Sequence, residues 1–262
     1  ALPIWEGRIL IPRPLVHTAL IQAYRRIPLF TRDGRRAFVV RNGKTYFGPG
    51  SDALYNIDRQ TGELRFSVLE DIRQNVRVAD ALDGFDFVMS TALPKDAPQH
   101  RLYATVFAEM VRSTAKPIVA TCTTLDDIRD IHRIAAIVAG GEDKLRAKPF
   151  FLAYLEPISP LRLNRSIVER VLYCAEHGIP MLFAAGANCG SGAPITLEGG
   201  VVQGGAESLA GLVLAQLKNR DAKFVYGANT SVMDMRTSVV CYGAPAWFTS
   251  VAMYADMGKF YH

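Results

Sequence analysis

From about Tyr46 onward the chain repeats one rhythm: a short apolar run, a polar or glycine-rich loop, then an amphipathic stretch of helix length. The runs are Tyr46–Phe47, Phe85–Ser90, Pro117–Thr121, Phe150–Leu155, Met181–Ala185 and Phe224–Gly227. They are rich in β-branched and aromatic residues and apolar on both faces, as parallel strands covered by helices must be. Such alternation implies an α/β fold with right-handed crossovers, either a closed barrel or an open doubly wound sheet. No GxGxxG follows the first run and no phosphate loop occurs, which disfavours the dinucleotide-binding version. The expected fold is a (β/α)8 TIM barrel with about six βα units in residues 46–262, after a small N-terminal cap at 1–45. A closed barrel needs eight units, and missing ones would leave unpaired strand edges. The chain has no initiator Met and ends at Phe260-Tyr261-His262 without turn chemistry, so it is expected to continue beyond His262.

Start and stop signals punctuate the helical stretches. Ser67-Val68-Leu69-Glu70 reads as a capping box. Thr124, followed by Asp126 and Asp127, opens a helix that runs to Gly140-Gly141, and Asn164 opens one that ends at Gly178. Thr196 and Pro245 mark two further starts. Hairpins are expected at Val39–Tyr46, with Asn42-Gly43 at the turn, and at Tyr55–Phe66.

With 262 residues, 49% of them hydrophobic, the chain can bury one sizeable core. No apolar run approaches the roughly 18 residues of a spanning helix, and the N-terminus has no signal-peptide pattern. A cytoplasmic location is therefore expected. Cys122, Cys174, Cys189 and Cys241 are far apart and have no His at ligand spacing, so free thiols are expected and no metal site. The net charge of +5 has a local source: seven Arg or Lys between Arg25 and Lys44 face only Asp33. Without a nucleic-acid motif, that stretch reads as a solvated face or a docking surface for an acidic partner protein.

The loops after the apolar runs are where a barrel builds its site. They read Gly48-Pro49-Gly50-Ser51-Asp52, Ser90-Thr91, Thr121-Cys122-Thr123-Thr124, Glu156-Pro157-Ile158-Ser159-Pro160, Gly186 to Gly192 and Tyr226 to Ser231. No His pair, carboxylate pair or lysine stands at a strand end, which argues against a metal-dependent hydrolase or a Schiff-base aldolase. A mouth of small residues, amides and hydroxyls suits a large flat cofactor or a partner surface. Asn188, Asn229 and Ser231 are the leading binding candidates, since amides there need partners. Gln203 and Glu207 share a helix face, with Glu207 read equally as a site residue or a brace between helix and loop. Asp234 and Arg236 either orient a substrate carboxylate or form an internal ion pair. Gly48 and Gly50 serve a tight turn or approach a cofactor.

Five motifs stand in order: Tyr46-Phe47-Gly48-Pro49-Gly50; Asp58 to Glu63; Gly192-Ala193-Pro194-Ile195-Thr196-Leu197; Ala206-Glu207-Ser208-Leu209-Ala210-Gly211; and Tyr226-Gly227 with Met233-Asp234-Met235-Arg236-Thr237. Together they resemble the trimethylamine methyltransferase family, from about Gly7 to Tyr261. The resemblance implies a barrel methyltransferase that moves a methyl group from a tertiary amine or quaternary betaine to the Co(I) of a corrinoid (cobalamin) on a separate protein. Co(I) is the nucleophile and a quaternary amine leaves neutral, so the protein has to orient the N–CH3 bond and exclude water. On that reading Tyr226 offers a ring face to a quaternary ammonium, or is a core aromatic. Gly48, Gly50, Ser90 and Thr121 are the expected cofactor contacts, and no residue is assigned to catalysis.

The expected partners are the corrinoid protein, a small methylated amine and a second copy of the chain, with no nucleic acid and no membrane. The sequence departs from the family at Gly205, where an Asn is expected before Ala206-Glu207. It shows no pyrrolysine, which methylamine-using members carry downstream of the matched region, and the non-pyrrolysine kind is favoured. Gly205 also motivates an alternative, a catalytically inactive barrel that senses a small quaternary amine. A phosphate-binding barrel lyase is disfavoured for want of lysine in the loops.

Overall fold

The computed structural model describes residues 4–41 and 43–261, in two compact units: Arg26–Tyr154, and Ala1–Arg25 with Leu155–His262. The chain opens with the paired strands β1 (Ile4–Trp5) and β2 (Arg8–Ile9), then helix α1 (Arg13–Gln22). Next come β3 (Arg26–Phe30), β4 (Arg36–Arg41), β5 (Tyr55–Ile57), β6 (Leu64–Phe66), α2 (Leu69–Ala81) and α3 (Leu102–Ser113). After these come β7 (Ile118–Thr121), α4 (Leu125–Ala139), α5 (Glu142–Ala147) and β8 (Phe151–Leu155). The chain continues through α6 (Arg165–His177), β9 (Met181–Cys189), α7 (Leu197–Lys218), β10 (Phe224–Asp234), β11 (Val239–Val240) and α8 (Pro245–Tyr261).

In the Arg26–Tyr154 unit, β7 and β8 lie parallel from Ile118↔Phe151 to Thr121↔Tyr154, with α4 and α5 between them in sequence. Two earlier extended segments join in chain order through single parallel bridges, Ala53↔Ala92 and Val88↔Ile118. The core beneath is built from Ile72, Val76, Phe107, Met110, Ile128, Ile131, Phe150 and Phe151, all almost fully buried. Each such side chain contributes roughly 1.5–3 kcal/mol by leaving water. The Phe107 ring centroid stands 5.4 Å from that of Phe151 in an edge-on contact.

The first two expected strands thus shrink to bridges. Around Tyr46–Phe47 the chain pairs through Asp86, whose N–H donates to the Phe47 carbonyl (2.7 Å) and whose carboxylate accepts from the Phe47 N–H (2.8 Å). Pro49 has no N–H to extend a ladder. The expected Val39–Tyr46 hairpin is also corrected: β4 pairs backward with β3, Pro28 opposite Val39, around a turn closed by Gly34 N–H to the Thr31 carbonyl. Residues 44–50 form no strand, and Asn42 lies outside the described residues. The Tyr55–Phe66 hairpin forms as β5 and β6. Only the returning half of the expected capping box forms, one residue later. Val68 precedes α2 and its N–H donates to Asp71 Oδ2 (2.9 Å), while the Ser67 hydroxyl turns away to the Ala53 carbonyl. Thr124 and Asn164 cap α4 and α6, and Gly140 and Gly178 end them in left-handed geometry.

In the second unit β9 and β10 run parallel from Met181↔Phe224 to Cys189↔Val232. Both are longer than their apolar runs. Residues 186–189 and 228–234, read from the sequence as loops, continue the strands because their backbones pair with neighbouring strands whatever the side-chain preference. Helix α7 lies on this pair through glycines. A Cβ at Gly211 would come 2.9 Å from the Phe183 ring, and one at Gly200 2.9 Å from Cys189 Sγ. The helix therefore rests closer to the strands than any side chain would allow. Among the described residues, no helix is long and apolar enough to cross a membrane.

Candidate functional site

The parallel register sorts the residues of β9 and β10 onto two faces, since successive side chains alternate. Phe183, Ala185, Ala187 and Cys189, with Tyr226, Ala228 and Thr230 beside them, form the face under α7 and α8. Gly186 beside Asn229, and Asn188 beside Ser231, lie on the opposite face. Asn188, Asn229 and Ser231 are thus brought together, and Tyr226 is not among them. No hydrogen bond from the amide of Asn188 or Asn229 is found among the described residues, and the fully buried Ser231 hydroxyl has no partner. Gly186 is exposed between them, with nothing within 4 Å of where a Cβ would sit. The face therefore presents neutral donors and acceptors beside a bare stretch of backbone.

Helix α7 holds the loops that follow β8 and β9. Glu207, almost fully buried, accepts from the Ser159 hydroxyl (2.7 Å) and the Leu161 N–H (2.8 Å). The Gln203 amide donates both to Glu207 Oε1 (3.2 Å) and to the Gly192 carbonyl (2.8 Å). Of the two readings of Glu207, the geometry is that of a brace. A second buried network, absent from the sequence reading, ties β10 to both helices. Thr230 Oγ1 meets Tyr254 Oη at 2.9 Å, the same phenol donates to the Gly200 carbonyl, and the Ser250 hydroxyl donates to the Thr230 carbonyl at 2.8 Å. Burial pushes the Tyr254 phenol up to about 12.

Tyr226 is held against α7, where a Cβ at residue 205 would stand 3.1 Å from its hydroxyl. That hydroxyl is buried without a partner, and burial raises its pKa. Gly205 therefore lies in the helix–strand contact and not on the face of Asn188 and Asn229. Asp234 ends β10 and accepts from the backbone N–H of Arg236 (2.8 Å) and Thr237 (3.3 Å), which lowers its pKa. The turn is held by those amides in place of the ion pair, and Arg236 is exposed.

In the Arg26–Tyr154 unit, the ends of three consecutive parallel segments converge on Asp52. Its Oδ1 accepts from the Ser90 hydroxyl (2.9 Å) and the Thr121 hydroxyl (3.3 Å), and its N–H donates to Ser90 Oγ (3.3 Å). Burial pushes its carboxyl above the usual range, against the pull of the Ser90, Thr121 and Ser51 hydroxyls. Asp52 and Thr91 both have left-handed backbones (φ 60° and 59°), an uncommon geometry for non-glycine residues and an outlier for β-branched threonine. Ser90 and Thr121, expected at a cofactor, are buried and donate to this carboxylate. Gly48 lies under the Phe87 ring, where a Cβ would overlap it, and Gly50 faces open space; neither has a left-handed backbone. The sequence offered Asp52 only as the acidic end of a glycine-rich loop.

The basic residues of β3 and β4 are exposed, with Arg26 directly opposite Arg41. No disulfide joins the cysteines, and no cluster of His, Cys, Asp and Glu able to hold a metal ion occurs among the described residues.

Comparison with known proteins yields one family match, to the model described as trimethylamine methyltransferase, over residues 3–262. Similar relatives include a trimethylamine methyltransferase of Desulfitobacterium hafniense, 30% identical over 96% of this chain and 51% of the relative. A glycine betaine methyltransferase of the same species is 26% identical over 98% and 54%, and a trimethylamine methyltransferase of Methanosarcina mazei 31% over 96% and 52%. The chain spans about half the length of these curated relatives.

Proposed function

Because the chain belongs to the trimethylamine methyltransferase family, we propose that its protein transfers a methyl group from a methylated amine, a quaternary betaine or a tertiary amine such as trimethylamine, to Co(I) of a corrinoid on a separate protein. The observation that carries this reading is the match across residues 3–262. The chemistry of this β9–β10 face supports it: Asn188, Asn229 and Ser231 supply neutral polar groups, with no carboxylate, histidine or lysine among them. Transfer from a quaternary nitrogen, or from a tertiary amine already carrying its proton as an ammonium ion, asks for none of these. The acceptor supplies the electron pair of the new bond, the N–CH3 pair stays on nitrogen, and the amine leaves neutral. What remains for the protein is to orient the nitrogen and exclude water. In this reading Gln203 and Glu207 keep the loops after β8 and β9 in place. A (β/α)8 barrel in the longer protein is part of the same proposal, since parallel segments follow one another in chain order within each unit. The acceptor domain is expected as a separate partner, and a cytoplasmic location goes with it.

The test is spectroscopic. The full-length protein, mixed with Co(I) corrinoid and a panel of betaines and methylamines, should convert the Co(I) absorption to that of methyl-Co(III) with at least one substrate. Failure across a broad panel would falsify the proposal. Binding of a quaternary amine without turnover would favour the sensor reading; its one sequence hint, Gly205, sits beneath Tyr226.

A further inference from the structure

Asp52 is a part-buried carboxylate whose hydrogen bonds come from neutral groups, the Ser90 and Thr121 hydroxyls. No cationic side chain contributes to its environment among the described residues. The two carboxylates of the same unit that are buried outright are matched: Asp71 by Arg65 at 2.7 Å and Glu109 by Arg73 at 2.7 Å. A carboxylate drawn out of water without a counter-charge is costly unless something else brings one. Its surroundings are built, not incidental. Ser90 and Thr121 arrive from two different parallel segments, and the left-handed backbones of Asp52 and Thr91 hold the crossing in a geometry that costs energy by itself. The Tyr103 phenol stands close enough to Asp52 and Asp127 for their charges, with burial, to raise its pKa. A carboxylate held by neutral hydroxyls and matched by no cation of the chain is a group that a small organic cation can pair with.

We propose that Asp52, held by Ser90 and Thr121, is the counter-charge for the ammonium group of a small methylated amine. The inference rests on the methyl-transfer reading and adds to it a specificity-determining residue. Asp52 binds charge and takes no part in bond breaking. Quaternary and protonated tertiary amines both satisfy it, and a neutral carbon isostere does not.

The experiment measures binding to the full-length protein by calorimetry, with glycine betaine, trimethylammonium and tetramethylammonium as cations. The neutral-centre control is 3,3-dimethylbutanoate, in which carbon replaces the quaternary nitrogen of glycine betaine. Asp52→Asn keeps an acceptor for both hydroxyls and removes the charge. It should weaken the cations on the order of 10–100-fold, the range for a partly screened charge pair, and leave 3,3-dimethylbutanoate unchanged. Equal loss for cation and isostere, or no loss for either, overturns the role of Asp52 while the methyl-transfer reading stands. Absence of binding and turnover by the wild-type protein with every amine removes that reading and this inference with it. If Asp52→Asn does not fold, carbodiimide amidation of the wild-type protein decides. Saturating tetramethylammonium should protect Asp52 from modification, and unaltered labelling refutes the assignment.

Discussion

Replacing Glu207 by alanine tests how the loops after β8 and β9 are held. The carboxylate is almost fully buried and takes three donors: the Ser159 hydroxyl, the Leu161 N–H and the Gln203 amide. Hydrogen bonds to a charged group contribute about 1.5–3 kcal/mol each, but the variant regains the desolvation the carboxylate no longer suffers. The Ser159 hydroxyl can rotate to another acceptor and Gln203 keeps the Gly192 carbonyl. The Leu161 N–H, fixed on the backbone, has no such recourse. The net loss is therefore about 3 kcal/mol, within the range for breaking a buried polar network. At roughly 2–4 °C per kcal/mol for a domain of this size, Tm should fall by about 6–12 °C. Glu207→Gln retains an acceptor for Leu161 and should lose only about 1 kcal/mol. Thermal unfolding by circular dichroism gives the first number, and amide hydrogen exchange at Leu161 localises it. If the Glu207→Ala variant melts within about 2 °C of wild type with Leu161 equally protected, the loop does not depend on Glu207 and the brace is refuted.

Three further outcomes follow from the geometry. Tyr226→Phe removes a buried hydroxyl that has no partner and should stabilise the protein by about 1 kcal/mol in urea unfolding; a loss of stability would mean that the hydroxyl is bonded. Gly211→Ala places a Cβ 2.9 Å from the Phe183 ring, and this overpacking of about 1–3 kcal/mol should outweigh the alanine helix preference of about 1 kcal/mol, lowering the urea midpoint. Asp58 is held down to about 2 by the Arg65 guanidinium and the Thr61 and Gln60 amides. Its folded pKa lies below the ordinary value near 3.9, so its contribution is complete above that pH and is lost as pH falls towards 2. Carboxyl-carbon NMR should show Asp58 titrating well below the other exposed carboxylates, and Arg65→Gln should return it to the usual range.

Much of the secondary structure was legible because its signals are local. Thr124, Asn164, Gly140 and Gly178 act within one helical turn, so the sequence by itself determined where α4 and α6 begin and where they end. The apolar runs at 117–121 and 150–155 likewise marked β7 and β8, since a strand covered on both faces has to be apolar throughout. The family motifs, read as residues in order, marked the chain's membership. What the tertiary structure alone decided was which polar residues belong to strands and which side chains meet. Asn188, Asn229 and Ser231 look like loop residues until a parallel partner satisfies their backbone, and the register then puts them on one face and Tyr226 on the other. Gly205 looked like a lost pocket side chain, yet it faces a phenol across a helix–strand contact. Asp52 is separated from Ser90 by 38 residues and from Thr121 by 69, and no local pattern carries that distance. Caps and turns are settled by bonds a few residues long; a polar cluster is settled by the packing of segments that only the folded chain brings side by side.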